Sequence, residues 1–301
     1  MNIKLTCRLN FLLNNIQLKS KKENGVLVPK TIIYTAKVLQ FLSKKWVTLF
    51  VAKLFTMPIK HKIHKRELEM DKNSTQYLLK IPSIQKEVVL YEYGKSSKKV
   101  LLIHGWSGRG TQLVKLADEL IKLGYCTISF DAPAHGKSPG NSTIMTDFIA
   151  CLFEIEKKYG PFEAAIGHSL GGMAALNAIK NGLNIKLLTV IGSGDKVQDI
   201  MDDFVAKLEL KPIISDYLRK HFEKQFGETI ESYSAYRAAK EIEIPVLVIH
   251  DENDEDVPVK AGIHIYEQLK KGELMLTKSL GHRKILGDAK VIEKVIHFVT
   301  N

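Results

Sequence analysis

The sequence predicts an α/β fold: a mostly parallel, twisted sheet with helices on both faces and a small helical cap insertion. Three observations predict it. Short apolar runs alternate with amphipathic stretches of helical period from about residue 76 onward, the pattern of a helix-covered parallel sheet. The alternation pauses once, over 195–240. Glycine turns follow several of the apolar runs directly, as in Gly167-His168-Ser169-Leu170-Gly171-Gly172.

Taken in order, residues 1–30 are polar and basic, with no convincing period. Residues 31–56 carry a broad apolar face that includes Ile33, Leu39, Trp46 and Phe50, and they predict one amphipathic helix stopped by Pro58. Gln76–Ile81 and Glu87–Gly94 alternate apolar and polar residues and predict a hairpin with Pro82-Ser83 in the turn. Lys99 to His104 is a buried strand, Thr111 to Leu123 a helix closed by Gly124, and Tyr125 to Phe130 a strand. A helix over Ile144–Tyr159 ends at Gly160-Pro161. Phe162 to Ile166 is a strand, Met173 to Lys180 a helix and Ile185 to Ile191 a strand. Residues 195–240 read as two or three helices. A strand over Ile244–His250, a helix over Pro258–Lys270, a strand over Glu273–Thr277 and a helix over Val291–Val299 complete the chain. Residues 1–75 are therefore expected to form a basic extension with one amphipathic helix, and residues 76–301 the α/β domain.

The 301 residues carry a net charge of +11, unevenly placed. Residues 1–70 hold 14 Lys and Arg against 3 Glu, whereas residues 71–301 hold 30 basic and 30 acidic residues. The body thus has no electrostatic footprint for nucleic acid. Any attraction to a polyanion or membrane belongs to the extension. Its helix has two competing roles: lying on an anionic membrane, with peripheral contact through residues 31–66, or packing on the body. Packing is favoured because amphipathic helices more often face a core. Cys7, Cys126 and Cys151 show neither disulfide nor zinc spacing, which points to a reducing, cytoplasmic compartment. No signal-peptide h-region is evident, and the most apolar window, Trp46–Met57, is too short to span a bilayer. No histidine spacing suggests a metal, and no glycine fingerprint suggests a nucleotide, so no cofactor is expected.

The chemistry lies past the strand ends, where ligands gather in such sheets. G-x-S-x-G between a strand and a helix is the setting of a nucleophile elbow, which raises Ser169 clear of the sheet on a strained turn. Asp254 lies past the strand 244–250 and His282 past the strand 273–277, giving the chain order Ser, Asp, His. His104-Gly105-Trp106-Ser107-Gly108 follows the strand 99–104.

With the DAPAHGKS stretch from Asp131 and the acid loop Pro245 to Pro258, these motifs resemble the α/β-hydrolase superfamily over about residues 76–301, in particular its capped, serine esterase- or lipase-like members. Two departures are Ala134 and Asp251, where many members have Gly. Asp251 leaves the acid open among Asp251, Asp254 and Asp256; Asp254 matches the family position. The resemblance implies acyl transfer: Ser169 attacks, His282 takes and returns the proton, and Asp254 holds the imidazole. It places the oxyanion hole at the backbone N–H groups of Trp106 and Leu170. His104, His135 and His168 read as structural hydrogen-bonding groups.

The expected substrate is a small-molecule carboxylic ester or thioester. A serine nucleophile disfavours the dehalogenase and epoxide-hydrolase branches, where the family places Asp. Lipase, amidase, carbon–carbon hydrolase and acyltransferase chemistry share the triad, and a non-catalytic ligand-binding protein on the same fold is the alternative from another class. The oligomeric state is not legible.

Overall fold

The computed structural model describes residues 28–301. The basic stretch before residue 28, with Cys7, lies outside the described residues.

Among the described residues two helices come first, α1 (Lys30–Leu42) and α2 (Lys44–Phe55), where the apolar period predicts one. Ser43 breaks it. Its backbone is extended, and its side chain accepts a hydrogen bond from Trp46 N–H, capping α2. The apolar stripe runs on through the break, which is why periodicity misses it. The short helix α3 (Leu68–Asn73), also unanticipated, anchors through buried Met70.

The sheet elements then follow in order: β1 (Thr75–Ile81), β2 (Lys86–Tyr93), β3 (Lys99–Ile103), α4 (Val114–Lys122), β4 (Cys126–Asp131), α5 (Met145–Tyr159), β5 (Phe162–His168), α6 (Leu170–Lys180) and β6 (Ile185–Ile191). The insertion holds α7 (Val197–Lys207), α8 (Ile213–Phe226) and a single turn at Ile230–Tyr233. Next come α9 (Ala235–Glu241), β7 (Val246–Asp251), α10 (Val259–Gln268), β8 (Gly272–Thr277), the one-turn α11 (Gly281–Lys284) and α12 (Ala289–Thr300).

The eight strands form one sheet in the order β1-β2-β4-β3-β5-β6-β7-β8. Only the pairs β1–β2 and β2–β4 are antiparallel; the rest run parallel. Alternate residues of each strand feed opposite faces, as the pleat requires. Leu101, Ile103, Val246 and Val248 face one core with α5, α6 and α9. Val100, Leu102, Leu247 and Ile249 face the other with α4 and α12. Ala235, Ala238 and Ala239 of α9 belong to the first core, so α9 is a sheet-covering helix and the insertion leaves the sheet over about 195–234.

A third apolar cluster lies off the sheet. Ile32 and Ala36 of α1 and Val47, Phe50 and Val51 of α2 pack on Met201, Val205, Leu218 and Phe222 of the cap. Phe55 adds an edge contact to Phe204 and a tilted one to Phe222, with ring centroids 5.2 and 5.8 Å apart. The inner faces of the extension helices and the cap thus bury each other. Leu218→Ala empties the middle of this cluster, and a loss of about 2–5 kcal/mol is expected. Chemical unfolding measures it, and limited proteolysis should cut first in α1, α2 and the cap.

Candidate active site

Ser169 sits between β5 and α6 with φ 52° and ψ −121°, a conformation that costs a non-glycine residue strain. Close packing holds it there. A Cβ on Gly105 would lie 2.9 Å from Ser169 Cβ, one on Gly171 2.4 Å from Ile103 O, and one on Gly167 2.7 Å from Gly171 O. Each of these three sites therefore accepts only glycine. Ser169 N–H donates to Ile191 O at 2.9 Å, and Ser193 Oγ donates to Ser169 O at 3.1 Å, fixing the turn from the β6 side.

β3 pairs with β5, placing Ile103 opposite Gly167, so the His104-Gly105-Trp106 turn emerges beside the elbow. Its shape rests on three bonds. Gln112 Oε1 accepts from Gly105 N–H, Gly108 N–H donates to Gly105 O, and Ser107 N–H donates to His135 Nε2. Trp106 N–H and Leu170 N–H, the expected oxyanion donors, reach no protein acceptor among the described residues. Leu170 is the first residue of α6, so its N–H also lies at the positive end of a helix.

The three candidate acids separate by their partners. Asp254 Oδ2 accepts from His282 Nδ1 at 2.7 Å, while its Oδ1 accepts from the N–H groups of Asp256 and Val257. Burial alone would raise this carboxyl; the His282 hydrogen bond and charge, with the Val257 N–H, hold it below the usual range. Asp251 makes no hydrogen bond to the His282 ring among the described residues. It accepts from the N–H groups of Asn253, Leu280 and Gly281 and from Thr277 Oγ1, at 2.7–3.1 Å. These bonds outweigh burial and keep it ionised. Its place is behind the loop, clamping residues 277–281 so that His282 is presented. Asp256 contributes its backbone N–H to Asp254.

A carboxylate only accepts, so the Asp254 bond assigns the ring proton of His282 to Nδ1 and leaves Nε2 as a base. His282 is tied to the elbow by its backbone: His168 Nε2 donates to His282 O at 2.9 Å, and the two rings lie 4.6 Å apart. Gly192, after β6, completes the setting, since a Cβ there would lie 3.3 Å from His282 Nδ1. Ser169 Oγ makes no hydrogen bond to His282 among the described residues; such contacts are often open without substrate and close on binding.

Several residues here were not singled out by sequence. Buried His250 donates to Val257 O at 2.9 Å and lies 3.6 Å from Asp254 Oδ2, so it shapes the acid loop. Asp131 accepts from Gly110 N–H, Lys137 N–H and Tyr91 O–H, organising the DAPAHGKS loop. Gly136 leaves room for that carboxylate, which a Cβ would meet at 2.1 Å. Both Asp131 and His250 stand at strand ends, a position that could have flagged them. The segment after α2 gave no such signal, yet it reaches the site: Ile59 N–H donates to Ser107 Oγ at 3.0 Å, and Arg109 donates to His61 O.

A serine on a strained elbow beside an Asp–His pair, at the carboxyl edge of a mostly parallel sheet, defines a hydrolase-type α/β protein. The chain belongs to the alpha/beta hydrolase family, whose model matches residues 100–282. It is 28% identical over 217 residues to the lysophosphatidylserine lipase ABHD12 of Danio rerio, covering 66% of this chain and 54% of that one. The chain therefore spans about half the length of that relative. An esterase from Pyrococcus furiosus superposes with a TM-score of 0.61 at 18% identity, covering 81% of this chain and 95% of that one. An esterase from Exiguobacterium antarcticum gives 0.58 at 17%, covering 72% and 97%. These structural likenesses carry the fold.

The buried histidines set a pH dependence. His104 and His135 each donate from Nδ1 to a carbonyl and accept at Nε2 from an N–H, so both are neutral. Burial holds His135 down to about 4 and His168 to about 3, with His104 well below its usual value. A histidine depressed in the folded state gives stability that is whole above its unfolded value, about 6.5, and drains as pH falls toward the folded value. Asp251 and Asp254 add to the loss only below the ordinary carboxylate range, while Asp131, raised by burial, works in the opposite sense. Urea unfolding from pH 7 to 4 should therefore show falling stability. His135→Gln should lower stability at pH 7 and flatten the slope.

Proposed function

We propose that the protein is a serine hydrolase that cleaves a carboxylic ester or thioester through an acyl-enzyme at Ser169. The observation that carries this reading is the 2.7 Å Asp254–His282 bond, on a histidine anchored to the residue before Ser169. His282 Nε2 takes the Ser169 proton as Oγ attacks the carbonyl carbon, and Asp254 stabilises the imidazolium that forms. The tetrahedral oxyanion is met by Trp106 N–H and Leu170 N–H, neither of which is spent on a protein acceptor among the described residues. Collapse expels the alcohol or thiol, protonated by His282. Water, deprotonated by the same nitrogen, then releases the acid and restores the serine.

The name of the ABHD12 relative favours, among esters, a single-chain lipid ester. Hydrolysis of nitrophenyl esters of increasing chain length, alongside lysophosphatidylserine, tests this. A preference for long chains supports a lipid substrate, and a preference for acetate removes it.

A fluorophosphonate probe should label the protein once, and Ser169→Ala should abolish the label. Unlabelled folded protein would favour a binding role. The two aspartates should part company. Asp254→Asn should lower kcat on the order of 10³–10⁴-fold with a smaller change in Tm than Asp251→Asn, since the amide oxygen can keep the Asp256 and Val257 N–H bonds. Asp251→Asn should act mainly on Tm, because one amide oxygen cannot accept four bonds in a buried site. The reverse ranking would reassign the acid.

A further inference from the structure

Helices α1 and α2 meet at Ser43 as a corner, and the cap covers only their inner faces. The outer face is apolar as well. Tyr34, Val38 and Phe41 follow one another at helical spacing along α1 and are 72%, 40% and 90% exposed. Leu42 and Trp46 carry the stripe round the corner at 68% and 46%. Large side chains massed in water at one place mark a surface that something else covers.

The charge around the stripe says what covers it. Neither helix contains a single Asp or Glu, while Lys30, Lys37, Lys44, Lys45 and Lys53 lie on them. Lys37 pairs with Glu209 and Lys44 lies 5.6 Å over the Tyr217 ring, both turned toward the cap, whereas Lys30 and Lys45 are exposed. Past α2, Lys62 and Lys65 are exposed, while Lys60 donates to Ser138 O and Arg66 lies 3.7 Å from Glu67. A second copy of the chain would be a poor occupant, since a two-fold interface would set basic rim against basic rim. An apolar centre ringed by lysines matches the acyl boundary and headgroups of an anionic bilayer.

We propose that the α1–α2 corner docks on an anionic lipid surface, with Phe41, Leu42 and Trp46 entering the interface. The helices lie on the membrane rather than cross it. They have 13 and 12 residues, against the roughly 20 that a span needs, and among the described residues no helix is long and apolar enough to cross. Docking here is independent of the chemistry proposed at Ser169.

The test is sedimentation of the full chain with vesicles of phosphatidylcholine alone and of phosphatidylcholine mixed with phosphatidylglycerol. Binding is expected to the mixed vesicles and to weaken with added salt. Phe41→Ser with Trp46→Ser should lower vesicle affinity by about tenfold or more. Both side chains lie outside the core, and unchanged Tm and fluorophosphonate labelling will confirm that the variant is folded. The chain has two tryptophans, Trp46 and Trp106. Quenching by brominated lipid should be present in the wild type and absent in Trp46→Phe. No binding to mixed vesicles, equal binding by the double variant, or a dimer that the double variant splits while vesicles go unbound would each overturn the proposal.

Discussion

Everything at the site depends on two turns passing within touching distance. The end of β3 and the elbow after β5 are so close that Gly105 and Ser169 are separated by less than one side chain, and α6 starts against the carbonyls of Ile103 and His104. This contact keeps Ser169 in a backbone conformation it would not choose. The strain, on the order of 1–3 kcal/mol, is sustained by the two apolar cores on either side of the sheet. The same proximity sets the turn that carries Trp106 beside the one that carries Leu170.

Around that contact the protein places polar groups where water cannot help them, and the loops are held by those that are paired, while His168 Nδ1 and His250 Nδ1 have no partner among the described residues. Buried Asp131, His104 and His135 each make a bond that ties the turn after β3 to the loop after β4. Asp251 does the same for the loop that carries His282. These groups hold the reactive side chains in register. Two aspartates three residues apart thus serve different ends: one positions a loop, the other meets the imidazole.

Much of this was legible in the sequence, because the strands of a parallel sheet are apolar runs and the loops after them carry the polar residues. Ser169 and His282 are singled out by their places past two strand ends. Position alone leaves the acid open among Asp251, Asp254 and Asp256, and Asp254 is chosen by its match to the family position; the three lie on the same loop and only the direction of the carboxylate separates them. The break at Ser43 was hidden because a capped helix start leaves the apolar period intact. The reach of Ile59 and His61 to the loop after β3 was hidden because it depends on how α1 and α2 fold back on the cap.

That reach bears on how the molecule could be dissected. A cut before β1, which the composition invites, would strip Met201, Val205, Leu218 and Phe222 of their cover and leave Ser107 Oγ without the Ile59 N–H it accepts. What looks like a detachable leader is wired into both the cap and the turn after β3. A shortened chain would therefore be a different object from the native one, with a wet, sticky cap and a looser turn, even though every strand of the sheet would still be present.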